Sequence, residues 1–114
     1  MVASHPDTVC PSPDGGLPDT GAYMVLFEAA TGVRPEHVCG KPNAGMILHK
    51  VESLGLRPEQ CAMIGDRLYT DIEMADRARV HGVLVLSGEA TMESLEAAPQ
   101  TPSLVVGSVD ELAR

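Results

Sequence analysis

Two apolar runs, Cys61-Ala62-Met63-Ile64 and Gly82-Val83-Leu84-Val85-Leu86, bracket a stretch of helical periodicity, and this order constrains the fold more than any other feature. The second run is continuously apolar, the pattern of a parallel strand buried on both faces. Parallel strands need a crossover connection, and residues from about Asp71 to Arg79 supply one as a helix with Ile72, Ala75 and Ala78 inward. The junction reads Met63-Ile64-Gly65-Asp66-Arg67-Leu68-Tyr69-Thr70-Asp71-Ile72. Gly65 lets the backbone turn, and Thr70 with Glu73 makes a Thr-x-x-Glu capping box for the helix. Asp66 then lies at the carboxyl end of a strand and Asp71 in the first helical turn. The crevice outside such strand ends is where parallel α/β folds bind ligands.

Two carboxylates at that rim, ~4 Å apart, repel by about 4 kcal/mol at an effective dielectric of 20. A hard cation such as Mg²⁺, held by one or two carboxylates with waters and phosphate oxygens, relieves that repulsion. The alternative is structural: Asp71 as an acid favoured by the helix dipole and Asp66 as a turn residue.

The remaining chain repeats the same grammar. Residues 5 to 20, rich in proline with Gly15-Gly16, predict an irregular loop after at most a very short strand. Gly21 to Thr31 predicts a helix with a broad apolar face, closed by Gly32, and Asn43 to Ser53 a second one, stopped by Gly55. Each is followed by a Gly-x-Arg-Pro-Glu turn and a short apolar run. A helix over Met92 to Ala97, a strand at Leu104-Val105-Val106 and a terminal helix from Asp110 complete the alternation expected of a parallel α/β sheet.

Length and charge narrow the function classes. A chain of 114 residues is one domain's worth and needs no staples. Sixteen acids against eight Lys and Arg leave a formal charge of −8, with no basic run to follow a phosphate backbone, so nucleic acid is excluded as a partner. No apolar stretch reaches the ~20 residues of a membrane span, and the start carries no targeting pattern. Three unclustered cysteines, Cys10, Cys39 and Cys61, fit a reduced cytoplasmic setting.

Gly40-Lys41-Pro42, then Gly65-Asp66-Arg67-Leu68-x-Thr70-Asp71-Ile72, then Leu84-Val85-Leu86-Ser87-Gly88 resembles the haloacid dehalogenase (HAD) superfamily. Within it the chain is similar to the capped branch of para-nitrophenyl, ribonucleotide and phosphoglycolate phosphatases. Ala3-Ser4-His5-Pro6-Asp7 resembles that branch's Ala-Thr-Asn-Pro-Asp, and the helix after Gly21 resembles the one that follows it. The resemblance implies a partial HAD-like Rossmannoid three-layer fold with parallel strands. Residues 1–38 would be the end of an α/β cap and 39–114 the carboxyl-terminal half of the core. It also implies a Mg²⁺-dependent phosphatase acting on a small phosphorylated metabolite. Lys41 would pair with the nucleophile and the transferring phosphoryl group, Asp66 would hold Mg²⁺, and Asp71 would support the metal shell or bond to Lys41. His5, Cys10 and Arg67 are the implied substrate-binding residues.

Departures from the family pattern matter as well. The nucleophile belongs to an Asp-x-Asp-x-Thr/Val motif, and this chain has no Asp-x-Asp. The expectation is therefore the carboxyl-terminal part of a longer phosphatase, inactive alone and prone to self-association through the sheet edge that a missing amino-terminal half would cover. Asp19 stands where the branch has a glycine, Ala75 and Arg79 where it often has glycines, and Gly82 where it has a threonine. The competing expectation is a catalytically inactive HAD-like module serving in binding or assembly. The upstream reading frame discriminates the two.

Overall fold

A computed structural model describes residues 1–113 as two compact units, Met1–Lys41 and Pro42–Arg114. In the first unit, strand β1 (Val2–Ala3) pairs in parallel with β4 (His37–Val38), while β2 (Val9–Cys10) and β3 (Leu17–Pro18) form a small antiparallel ladder. The loop expected over residues 5 to 20 therefore contains a hairpin, which two-residue strands among prolines do not announce in sequence. Helix α1 (Thr20–Thr31) follows. Asp19 caps it by accepting from the Thr20 N–H at 2.7 Å, and Gly32 ends it in the left-handed region at φ 72°.

The second unit holds the predicted alternation. Helix α2 (Gly45–Ser53) and a 3₁₀ turn (Pro58–Gln60) lead to β5 (Ala62–Gly65). A π turn (Leu68–Ile72) and α3 (Glu73–Ala78) lead to β6 (His81–Val85), and α4 (Met92–Ala97) leads to β7 (Leu104–Val106). A 3₁₀ turn over Val109–Ala113 stands where a terminal helix was expected. The three strands form a parallel sheet in the order β5-β6-β7, with Ile64 opposite Val83 and Leu84 opposite Val105.

Two apolar clusters pack this sheet. Leu68, Ile72, Leu84 and Ala90 form one, backed by Leu86, Leu95, Ala98 and Val105. Ala75, Ala78 and Val80 form the other, with Ala44, Ile47, Cys61 and Met63 against them. Ile72, Ala75 and Ala78 thus point inward as their spacing predicts. The fold is mixed α/β with parallel strands, as expected. Among the described residues no helix is long and apolar enough to cross a membrane.

The predicted capping box is not formed. Ile72 is the residue before α3 and makes no side-chain cap, and the Thr70 hydroxyl is buried with no hydrogen-bond partner. The chain instead coils earlier and more widely, the N–H of Asp71 and that of Ile72 both reaching the Arg67 carbonyl at 3.0 and 3.2 Å. Burial drives the change. Leu68 and Ile72 both enter the first cluster, and a π turn brings two such residues into the core while freeing Asp71 to serve the preceding loop.

Candidate functional site

The carboxyl end of β5 is built around Asp71. Its side chain is 2 % exposed, and its Oδ2 accepts from the backbone N–H groups of Asp66 at 3.2 Å and Arg67 at 3.1 Å. Two peptide donors at the strand end are thereby satisfied by one buried carboxylate, which fixes the turn that presents Asp66. Gly65 makes room for it: a Cβ there would lie 2.5 Å from Asp71 Oδ2, a separation no side chain tolerates.

Asp66 is held from the loop after β6. Its carbonyl accepts from the Ala90 N–H and its Oδ2 from the Glu89 N–H, each at 2.9 Å. Gly88 lies against the same carboxylate, where a Cβ would come within 2.6 Å of Asp66 Cγ. Among the described residues no hydrogen bond is made to Asp66 Oδ1. The Glu89 carboxylate is itself gripped, by Arg67 Nε at 2.7 Å and by the Tyr69 hydroxyl at 2.8 Å. A cleft of about 110 Å³ opens here, lined by Asp66, Arg67, Leu68, Tyr69, Glu89, Ala90 and Ser94.

Asp66, Arg67 and Asp71 thus share one rim of the second unit. His5, Cys10 and Lys41 belong to the first. Lys41 closes that unit, directly after Gly40, whose Cα packs so tightly on the Ser4 carbonyl and His5 that a Cβ would come within 2.5 Å of both. His5 bridges Ser4 Oγ at Nδ1 and Asp19 Oδ1 at Nε2, both at 2.9 Å. The Asp19 carboxyl is held below its ordinary value, chiefly by the Thr20 N–H and then by His5. Cys10 is exposed on β2 as a free thiol.

Glu89 and Tyr69 were not anticipated from sequence. The signal was present for Glu89, since the residue after Ser87-Gly88 stands beyond the carboxyl end of β6, the same kind of position that singled out Asp66. Tyr69 had none, its partner being twenty residues away.

Comparison with known proteins agrees with this architecture. Residues 38–112 match the HAD-hydrolase-like family model. The chain is 38% identical over 113 residues to the dihydroxyacetone phosphatase of Corynebacterium glutamicum, covering 99% of this chain and 41% of that protein. The crystal structure of 4-nitrophenylphosphatase from Thermotoga maritima superposes with a TM-score of 0.91 at 44% identity, over 98% of this chain and 43% of that one. That of glycerol phosphate phosphatase from Mycobacterium tuberculosis, in complex with magnesium, gives 0.86 at 31% identity over 97% and 34%. The chain spans about two-fifths of the length of the curated relatives it matches. Its parallel sheet, its strand-end aspartates and the family match place it in the HAD-hydrolase-like family, within the para-nitrophenyl phosphatase branch.

Proposed function

We propose that this chain carries part of the phosphate-handling site of a Mg²⁺-dependent phosphomonoester hydrolase, acting in the cytoplasm on a small phosphorylated metabolite. The observation that carries the reading is the strand-end arrangement of Asp66 and Asp71, one carboxylate buried to fix the turn and the other held by a single oxygen at a cleft. The named activities of the relatives, all phosphatases, support it.

The donor chemistry fits Mg²⁺ in part. A hard cation takes one or two carboxylate oxygens and fills its shell with water and phosphate. Asp66 offers such an oxygen in Oδ1, and Asp71 supports its loop. Among the described residues no group of three or more His, Cys, Asp or Glu is placed to hold a metal. Asp66 therefore supplies one ligand of a shell otherwise filled by water and phosphate oxygens. Such an ion would draw charge from the phosphoryl oxygens.

In this reading residues 1–38 end a cap and 39–114 form the carboxyl-terminal half of the core. Lys41 neutralises charge on the transferring group, and His5, Cys10 and Arg67 meet the substrate. The attacking aspartate comes from residues outside these 114, because the sequence contains no Asp-x-Asp. That same absence favours the second reading, a non-catalytic module keeping the crevice for binding or assembly, alone or with a complementary half.

The test is phosphate release from a panel of phosphomonoesters, with and without Mg²⁺. It compares the 114-residue chain with the product of the full upstream reading frame, and each with its Asp66→Asn variant. Turnover by the longer product alone, lost without Mg²⁺ and in Asp66→Asn, supports the enzyme. An upstream frame lacking an Asp-x-Asp motif supports the module. Turnover by the short chain overturns the outside nucleophile.

A further inference from the structure

We infer that Glu89 is a positioning residue for Asp66, locked by Arg67 and Tyr69 so that its backbone N–H aims the Asp66 carboxylate. The inference rests on the proposed role of Asp66 as a metal ligand and extends it to Glu89 and Tyr69, which the family resemblance does not single out.

Residues 86–89 form an irregular turn between β6 and α4, and Ser87, Gly88 and Glu89 are exposed. An exposed turn of this kind does not hold a peptide N–H in one direction by itself. Here both oxygens of the Glu89 side chain are engaged, Oε2 by Arg67 Nε and Oε1 by the Tyr69 hydroxyl. The Arg67 contact is an ion pair at 2.7 Å, made by a side chain only 28% exposed and so less screened by water than a fully exposed pair. Both anchors come from the segment that carries Asp66. The loop is consequently fastened twice to the residues that flank the carboxylate it orients.

The consequence falls on the Asp66 carboxylate. With Oδ2 fixed by the Glu89 N–H and the carbonyl fixed by the Ala90 N–H, rotation about the side-chain bonds is arrested. Oδ1 is then presented in one orientation instead of several. Gly88 enforces the close approach, since any side chain there would displace the carboxylate. Hydrogen-bonding partners that orient a metal ligand typically change metal affinity by about 10–100-fold when removed. Glu89 acts through its backbone, so a change of its side chain leaves the donating N–H in place and removes only what aims it.

The experiment uses the 114-residue chain, Glu89→Ala and Tyr69→Phe, with Asp66→Asn as the control for the metal reading. Amide hydrogen exchange of Glu89 reports the clamp without any metal. It is expected to accelerate in both variants while the Leu84 amide, in the core of β6, is unchanged. Titration with Mn²⁺ alone, followed by its electron paramagnetic resonance signal, reports the consequence. Binding is expected to weaken about tenfold in Glu89→Ala, less in Tyr69→Phe, and to vanish in Asp66→Asn. Unaltered Glu89 exchange in Glu89→Ala overturns the clamp. Faster exchange with unaltered Mn²⁺ affinity, where Asp66→Asn has lost binding, overturns the positioning role. Mn²⁺ binding equal in Asp66→Asn and the parent chain, or absent from both, sinks the metal reading of Asp66, and with it the positioning role, whatever the exchange shows.

Discussion

At the scale of single residues, two close contacts carry consequences. His5 Nε2 and Asp19 Oδ1 meet at 2.9 Å. Gly82 on β6 lies against Ala75 of α3, where a Cβ on the glycine would sit 3.3 Å from that of the alanine. The first pair has a titration consequence. The Thr20 N–H and His5 lower the Asp19 carboxyl below 3.8 in the folded protein. A depressed acid contributes stability that is fully present above its unfolded value and lost as pH falls through the folded one. Urea midpoints measured from neutral pH down past 3.8 are therefore expected to fall less steeply in Asp19→Asn than in the parent. Asparagine still caps the helix, so the substitution isolates the charge. Glu73, lowered by Gln100 and Arg77, keeps its own share in both proteins. An identical acid limb would remove the His5–Asp19 contribution from the account.

At the scale of elements, what the sequence discloses divides along a physical line. Strand β7 and helix α4 lie at the positions expected from sequence, three apolar residues making the short strand and Thr91 capping the helix by accepting from the Ser94 N–H. The start of the helix after Asp66 was misjudged because a local rule met a tertiary one. Thr-x-x-Glu caps a helix whose N-terminus is exposed, whereas here Leu68 and Ile72 are drawn into the core and Asp71 turns back to two peptide donors. Aspartates at a strand end were legible from spacing. The Glu89 clamp was not, because it depends on which loop lies beside which strand. The other end of the same helix carries a cost that spacing alone does not reveal. Arg79, ending α3, adopts φ 58°, the left-handed region that suits glycine. A non-glycine residue there loses roughly 1–2 kcal/mol. Arg79→Gly is expected to stabilise the chain by about 1 kcal/mol after the added freedom of the unfolded glycine is deducted, read as a higher urea midpoint at constant slope. A lower midpoint would mean that the arginine side chain makes contacts worth more than the backbone conformation costs.

For the whole molecule, the question is what becomes of surfaces that a folded chain ordinarily covers. Among the described residues strand β5 pairs with β6 alone, which leaves peptide groups along its other edge, and Ile64 is 44% exposed. Helix α1 shows Val25 and Leu26 at 63% and 60% exposure, with Tyr23 and Phe27 beside them, so its apolar character is spent on solvent. The matched relatives are more than twice as long, and residues without counterpart here are available in them to lie against such surfaces. An open parallel edge and a bare apolar helix are both templates for association. The net charge of −8 opposes contact between copies, but salt screens exposed charges beyond about 8 Å at physiological ionic strength, and peptide pairing acts well inside that distance. The 114-residue chain is therefore expected to associate increasingly with concentration and with salt, measured by light scattering coupled to size exclusion. Ile64→Lys places a charge on the β5 edge and should shift the population toward monomer with the far-ultraviolet circular dichroism unchanged, as lysines do on natural edges. Leu26→Glu does the same if the helix is the contact, so the pair of variants identifies which surface is used. A chain that stays monomeric across the whole concentration range at high salt would show that both surfaces are stable in water as they stand.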